Sequence, residues 1–364
     1  MNSNHRTRLF AFAFKFGCAL ALGVLVLVIH GAQAAAPQVS AAEDFTGQWV
    51  IETRTDTDKV WFSLYRQSEG GSFSQSSSDF PLERLKGLTR EQMMTTGARV
   101  TFKLLRDAGT LDCQGWFKDG KGSGHFVFIP SQPFIAEMSK LGYERLTNEE
   151  LFTLALHDVG LDYVAELAEL GYDKLPLEEL LAMKIHGVTT KYIIELKARG
   201  YDHLDTESLV AMRIHGVTIE FIEELNANGY RQQTSEDLVA MRIHGVTMDV
   251  IREMRALGYE NPTVEDLVAM RIHGVTPEFV KELGALGYNR VPVDELVAMR
   301  IHNVTTDFIR DLKSRGYDHP SVEELVEMRI HGVTIAFIEK MRARGLKDLS
   351  IEELVEMRIR GFDN

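Results

Sequence analysis

The chain repeats itself every 29 residues, and that period constrains its fold more than any other feature. Gly-Tyr occurs at Gly142-Tyr143 and returns at 171, 200, 229, 258, 287 and 316, with Gly345-Leu346 as the eighth copy. A histidine keeps the same step through His157, His186, His215, His244, His273, His302 and His331, until Arg360 takes its place. No insertion breaks the register from about residue 132 onward. Eight units therefore account for 232 of the 364 residues.

Each unit reads as two short helices. The first opens on Ser, Thr, Asp or Pro and carries acids in its first turn, as in residues 205–214. Thr147 with Glu150, Ser321 with Glu324 and Ser350 with Glu353 have the spacing of a reciprocal cap, in which two side chains satisfy free backbone N–H groups. Leu209 and Met212, with Val210 and Ile214 one residue off, are expected to form one apolar face. His215-Gly216-Val217-Thr218 then reads as a stop followed by a start: Gly216 takes the left-handed conformation and Thr218 caps the next helix. Asp158 and Asn303 stand where other units have this glycine, and these residue types tolerate that conformation next best. The second helix, over residues 218–228, packs Phe221, Ile222 and Leu225 and stops at Gly229 with Tyr230 as the apolar contact after it.

Two helices of about ten residues cannot bury a core alone, but stacked on like neighbours they can. The expected fold class is mostly α: an α-solenoid of eight two-helix repeats over residues 132–364. The array should open on a lone second helix at 133–141 and close on a lone first helix at 350–360. Departures at Asp158, Gly160, Leu346 and Arg360 fall near its ends, where a terminal unit lacks a neighbour.

The recurring residues have both structural and functional readings. The histidines sit at helix C-termini, where a cation complements the backbone carbonyls, and Arg360 in the same place fits that role. Equivalent atoms about 10 Å apart cannot share a zinc ion, so no metal is expected. The tyrosines read as the hydrophobic contact beside a glycine stop rather than as an aromatic ladder for sugars or bases. Lys184, Arg213, Arg242, Arg271, Arg300, Arg329 and Arg358 form another ladder, expected to pair with acids such as Glu207 and Glu224 between repeats.

Charge and cysteine content narrow the function. The chain has 40 Lys+Arg against 53 Asp+Glu, and the repeats alone hold 26 basic against 41 acidic residues, a net of -15. The helix–hairpin–helix wording at residues 268–276 has Thr276 where a second glycine is usual, so nucleic-acid binding is a minor alternative. Residues 1–34 read as an export signal: Arg6, Arg8 and Lys15 precede an apolar run over 16–29, and Ala32-Gln33-Ala34 suits cleavage before Ala35. The run is short for a membrane span. The mature chain is expected to be periplasmic or secreted, without stable membrane insertion. It would keep Cys113 alone once Cys18 is removed, and could form no internal disulfide.

Residues 43–131 change character. Segments 47–51, 60–65, 100–104, 110–117 and 124–129 read as strands, the last two joined by a hairpin around 118–122, with another turn at Gly70-Gly71. A small antiparallel β domain of five or six strands is expected. Gly47-Gln48-Trp49 matches a lipocalin-like opening, though the segment is short for an eight-stranded ligand cup. Cys113 is expected to be a buried small hydrophobe.

The run Gly120-Lys121-Gly122-Ser123-Gly124-His125-Phe126-Val127-Phe128, combined with tandem Met-Arg-Ile-His-Gly-Val-Thr units, resembles an extracytoplasmic region appended to BlaR1-type membrane metallopeptidases. The resemblance covers residues 43–364 and implies sensing or scaffolding beside a membrane signalling protein. It implies no zinc protease activity, because no His-Glu-x-x-His occurs.

These readings converge on an exported, non-enzymatic scaffold without a cofactor, whose long surface takes a protein or peptide partner. Specificity is expected where the units vary, in the inter-unit loops, with His203, Arg231, Gln232, Asn261, Asn289, Arg290 and His319 as candidate partner-binding residues. The alternative is a small-ligand or cell-wall glycan binder that uses the β domain or the tyrosines.

Overall fold

A computed structural model describes residues 45–54, 57–67 and 73–362, and residues 45–364 make one compact unit. The expected export signal and the Gly70-Gly71 turn lie outside the described residues. Seven antiparallel strands form one sheet: β1 (Thr46–Thr53), β2 (Lys59–Gln67), β3 (Phe73–Pro81), β4 (Leu85–Lys86), β5 (Arg99–Arg106), β6 (Gly109–Lys118) and β7 (Lys121–Pro130), in the order β3-β2-β1-β7-β6-β5-β4.

Alternation of apolar and polar residues sends Trp49, Ile51, Phe62, Phe102, Leu111, Phe117 and Phe126 to one face, all buried. Trp49 is the centre of this core. Its indole crosses the strand pair at Gly115, where a Cβ would meet the ring at 2.5 Å, and its Nε1 donates to the Gln114 carbonyl at 3.2 Å. Side chains thus fill the concave face, and the Gly-x-Trp tryptophan belongs to a packed interior rather than to a ligand cup. Cys113 is buried in the same core, which pushes its thiol pKa up. The β6–β7 hairpin turns through Asp119 and Gly120, both at positive φ, as a two-residue loop of this type requires.

Among the described residues, sixteen helices follow the sheet, in two rows. The first helices are Asn148–Leu156, Leu177–Ile185, Thr206–Ile214, Ser235–Ile243, Val264–His273, Val293–Ile301, Val322–Ile330 and Ile351–Ile359. The second helices are Gln132–Lys140, Leu161–Glu169, Thr190–Lys197, Ile219–Ala227, Met248–Ala256, Pro277–Ala285, Thr306–Lys313 and Ile335–Ala343. The architecture is therefore a mostly α solenoid preceded by a small antiparallel β domain. From Leu177 onward each first helix lies against the next first helix, with Leu209, Met212 and their equivalents at the centre.

The stop-and-start turns have the expected geometry. Gly187, Gly216, Gly245, Gly274 and Gly332 have φ between 65° and 71° where they follow the first helix. Asp158 and Asn303 take φ 56° in the same place. Val217 N–H reaches back to the Met212 carbonyl at 2.8 Å, closing the turn, and Thr218 Oγ1 accepts from Phe221 N–H to open the next helix.

The departures at Asp158 and Gly160 have a cause other than a missing neighbour: the β domain is the neighbour. Gly160 lacks the capping hydroxyl of its equivalents, and Asp107 in the β5–β6 turn supplies the acceptor, taking the Leu161 N–H at 3.1 Å. A Cβ on Gly160 would stand 2.7 Å from that carboxylate oxygen. Asp158 in turn pairs with Arg84 at 2.9 Å and Arg106 at 3.2 Å. Phe152, in the place of a Leu or Val in later units, stacks on Phe126 with centroids 5.6 Å apart and also meets Phe45 and Phe128. The sheet is the N-terminal cap of the solenoid.

Phe152→Ala is expected to remove about 3–5 kcal/mol of stability and to uncouple the two parts. Limited proteolysis of the full chain should then cut between residues 131 and 148, where the wild-type protein resists; an unchanged pattern would contradict this joint.

Candidate interaction surface

The residues that recur in every unit divide into those that hold the stack together and those that face solvent. The Gly-Tyr tyrosines belong to the first group. Their rings are partly or fully buried, and each hydroxyl from Tyr172 to Tyr317 donates to a backbone carbonyl 32 residues ahead, just before the second first helix that follows it in sequence. The distances run from 2.6 Å for Tyr259 and Tyr288 to 3.0 Å for Tyr317. The reading as a hydrophobic contact alone is thus incomplete. Leu346, in the tyrosine's place, is apolar without the hydroxyl.

The arginine ladder also differs from expectation. Among the described residues, Lys184, Arg213, Arg242, Arg271, Arg300 and Arg329 make none of the inter-repeat ion pairs anticipated with Glu207 or Glu224. Each instead reaches back to the preceding unit. Arg213 lies 5.0 Å from the centroid of Tyr192, and Arg242, Arg300, Arg329 and Arg358 stand similarly over Phe221, Phe279, Phe308 and Phe337. Nε of Arg271, Arg329 and Arg358 donates to the carbonyl of the histidine that ends the previous first helix, at 3.2 to 3.4 Å. A guanidinium there meets both the negative end of a helix and the face of a ring. Ion pairs between units do occur, but at other positions, as in Arg199 with Glu223 and Arg315 with Glu339.

The histidine role changes accordingly. His186, His215, His244, His302 and His331 are the residues at which their helices end, and at His244, His302 and His331 the side chain that complements the terminal carbonyl is the arginine of the next unit. A second clamp recurs in three units: Lys197, Arg255 and Arg342 donate to the carbonyls of Leu170, Asn228 and Arg315 at the ends of the preceding second helices. Gly284 interrupts that row. Among the described residues no three His, Cys, Asp or Glu side chains gather as a metal site would require.

All seven candidate loop residues are exposed, at the edge where a second helix hands over to the next first helix. Two of them have scaffold contacts. His319 stacks on Tyr288 with centroids 4.5 Å apart, and Arg290 covers Gly258. Gln232, Arg290 and His319 take positive φ as part of the turn. His203, Arg231, Gln232, Asn261 and Asn289 keep exposed side chains.

The surface feature missed by pattern reading is a row of isoleucines. Ile185, Ile214, Ile243, Ile272, Ile301, Ile330 and Ile359 are between 43% and 61% exposed, so Ile214 does not belong to the buried face with Leu209 and Met212. The reason is angular: two residues from Met212 is about 200° around the helix, nearly the opposite side. Exposed acids stand seven residues earlier in the same helices, at Glu178, Glu207, Glu236, Glu265, Asp294, Glu323 and Glu352. No ion pair reaches Glu178, Glu207, Glu236, Glu265, Asp294 or Glu352 among the described residues.

No family model matches the chain, and no curated protein matches it. The fold itself defines the class: an α-solenoid capped by a β-sheet domain. Among the described residues, no helix is long and apolar enough to cross a membrane.

Two outcomes test the stacking contacts. Arg329→Ala should destabilise the chain more than Arg271→Ala by about 0.5–1 kcal/mol, because both donate to the carbonyl of the preceding histidine but Arg329 also stands over a ring, Phe308, where the sequence at the equivalent place for Arg271 has Val250; urea unfolding measures the difference. Burial raises the phenol pKa of these tyrosines, for Tyr288 to about 12. A raised folded pKa means that their contribution is fully present below the unfolded value of about 10 and is lost as pH climbs through the folded value. Helical circular dichroism should therefore fall between pH about 10 and 12, and Tyr288→Phe should flatten that fall.

Proposed function

We propose that this chain is an exported, non-enzymatic protein-interaction scaffold, acting in the periplasm or outside the cell. The observation that carries the reading is the division of labour between recurring residues. Tyrosines, arginines and capping threonines are consumed in joining units, whereas seven isoleucines recur on the outer side of the first helices without an internal use. An array of this kind offers one long surface with the same chemistry in each unit. The likeness of residues 43–364 to the region appended to BlaR1-type membrane metallopeptidases supports a place beside an envelope signalling protein. Backbone N–H groups of Gly216 and Val217 are bonded to their own helix, which leaves the hairpin poorly suited to phosphate and supports a polypeptide rather than a nucleic-acid partner.

A second reading keeps the glycan or small-ligand class. The tyrosine ladder no longer favours it, since those hydroxyls are engaged, but Trp61 and Trp116 stand exposed on the outer face of the sheet. Aromatic faces of that kind can stack on sugar rings.

The full chain, tagged at its C-terminus, is expected to leave the cytoplasm with Ala35 as its new N-terminus and to recover a discrete protein from envelope extract. Retention of the first 34 residues would overturn the export reading. Recovery of glycan alone, abolished by Trp61→Ala with Trp116→Ala, would favour the second reading over the scaffold.

A further inference from the structure

The outer face of the first helices carries two parallel rows, one apolar and one acidic. In each unit from Leu177 onward the ladder isoleucine lies near the C-terminal end of the helix. The acid lies two turns earlier on the same side, with Val or Leu and usually Ala between them. Unit 243 illustrates it: Glu236, Val239, Ala240 and Ile243 share that side. Neither row is explained by the stack. The isoleucines are exposed, and among the described residues the ladder arginines that could neutralise Glu178, Glu207, Glu236, Glu265, Asp294 and Glu352 are held elsewhere, over rings and at helix C-termini.

One unit reveals what chemistry covers these positions. In the first unit the equivalents are Glu149 and Leu156, and here the helix packs against β6 and β7. Glu149 pairs with Arg66, whose guanidinium lies 3.5 Å from the centroid of the Phe45 ring, and Leu156 is partly buried against the core. The chain therefore covers its own first acid-and-aliphatic site with an arginine set beside an aromatic ring.

We propose that the outer face of the remaining first helices is the docking surface of this scaffold, and that its occupant is a basic polypeptide segment in which Arg or Lys alternates with apolar side chains. The assignment rests on the scaffold reading above. Charge selects the occupant. A second copy would bring one acidic row against another, and an anionic bilayer would be repelled by the same row, whereas a cationic segment complements it. Spacing adds a constraint on the segment. Neighbouring first helices stand about 8–10 Å apart, and an extended polyproline-like chain advances about 9 Å in three residues with side chains i and i+3 on one side. An apolar residue at every third position thus meets successive isoleucines.

The test uses the full chain and a fluorescein-labelled synthetic peptide of tandem Leu-Arg-Pro units, read by anisotropy. The peptide is expected to bind, to weaken as salt rises, and to bind about tenfold more weakly to Ile243→Ser/Ile272→Ser/Ile301→Ser. A similar loss is expected for Glu236→Gln/Glu265→Gln/Asp294→Asn, which keeps side-chain shape. Both variants change exposed positions, and an unchanged circular dichroism spectrum and melting transition establish that they fold. Tandem Leu-Glu-Pro and Ser-Arg-Pro peptides should bind weakly or not at all.

Equal binding by wild type and both variants, or equal binding of the Leu-Glu-Pro peptide, would overturn the assignment. So would sedimentation with phosphatidylglycerol vesicles in place of peptide binding, or a dimer that the isoleucine variant abolishes. If an envelope partner is recovered equally well by the isoleucine variant, the scaffold reading stands and this surface falls; if no partner is recovered and the peptide still binds as described, the reverse holds.

Discussion

The structure depends on a hydrogen bond that no unit can make by itself. A tyrosine hydroxyl at the end of one second helix reaches the carbonyl that precedes a first helix 32 residues ahead, as Tyr230 does to Pro262 at 2.9 Å. The acceptor lies where the chain turns into a helix, a place at which a buried carbonyl has no strand or helix partner of its own. The same ring closes the glycine stop of its own helix. Each tyrosine thus ends one element and fixes the start of another, so the rise from unit to unit is set by a bond length rather than by apolar contact alone.

The first and last units of the described stack depart from the pattern in different ways. At the C-terminus the tyrosine becomes Leu346, and the histidine becomes Arg360, which pairs with Glu356 on its own helix. At the N-terminus the missing neighbour is replaced by a folded domain. Asp107 caps the helix that Gly160 leaves uncapped, and Phe152 enters a cluster of three rings from the sheet. Arg106 is nearly buried at this joint, donates to the Ala155 carbonyl and pairs with Asp158, and its desolvation lowers its pKa. The β domain therefore does for the first unit what each unit does for the next.

Much of this was legible in the sequence, and the limits have physical causes. The 29-residue period, the capping residues and the left-handed stops are local signals, so helix positions follow within a residue or so, and Asp158 and Asn303 take the conformation their chemistry allows. Contacts between units were harder to read. Arg242 sits 21 residues from Phe221, and an acid nearer in sequence looks equally suitable until the two helices are placed side by side. A short amphipathic pattern that tolerates a one-residue offset puts Ile214 with the core, but at 100° per residue the offset carries it to the exposed side. β3 carries no apolar alternation, because Phe73–Pro81 holds four serines among its nine residues and pairs with β2 alone at the sheet edge. Asp107 as the cap of a helix 54 residues later carries no local signal at all.

The isoleucine row acquires its meaning from this separation. In a repeat whose recurring tyrosines, capping threonines and ladder arginines have a stacking task, an apolar residue exposed at the same place seven times is not a by-product of the scaffold. Replacing it with Ser or Lys would leave the tyrosine bond, the arginine clamp and the buried Leu and Met untouched. Helix-forming preference does not favour Ile over Lys or Glu at an exposed position either. An exposed apolar residue also carries a hydration penalty that scattered surface residues incur singly, but that grows when they line up into one stripe. The row therefore asks for a partner that removes it from water. Glu178, Glu207, Glu236, Glu265, Asp294 and Glu352 beside it, which no ion pair reaches among the described residues, favour a partner bearing positive charge.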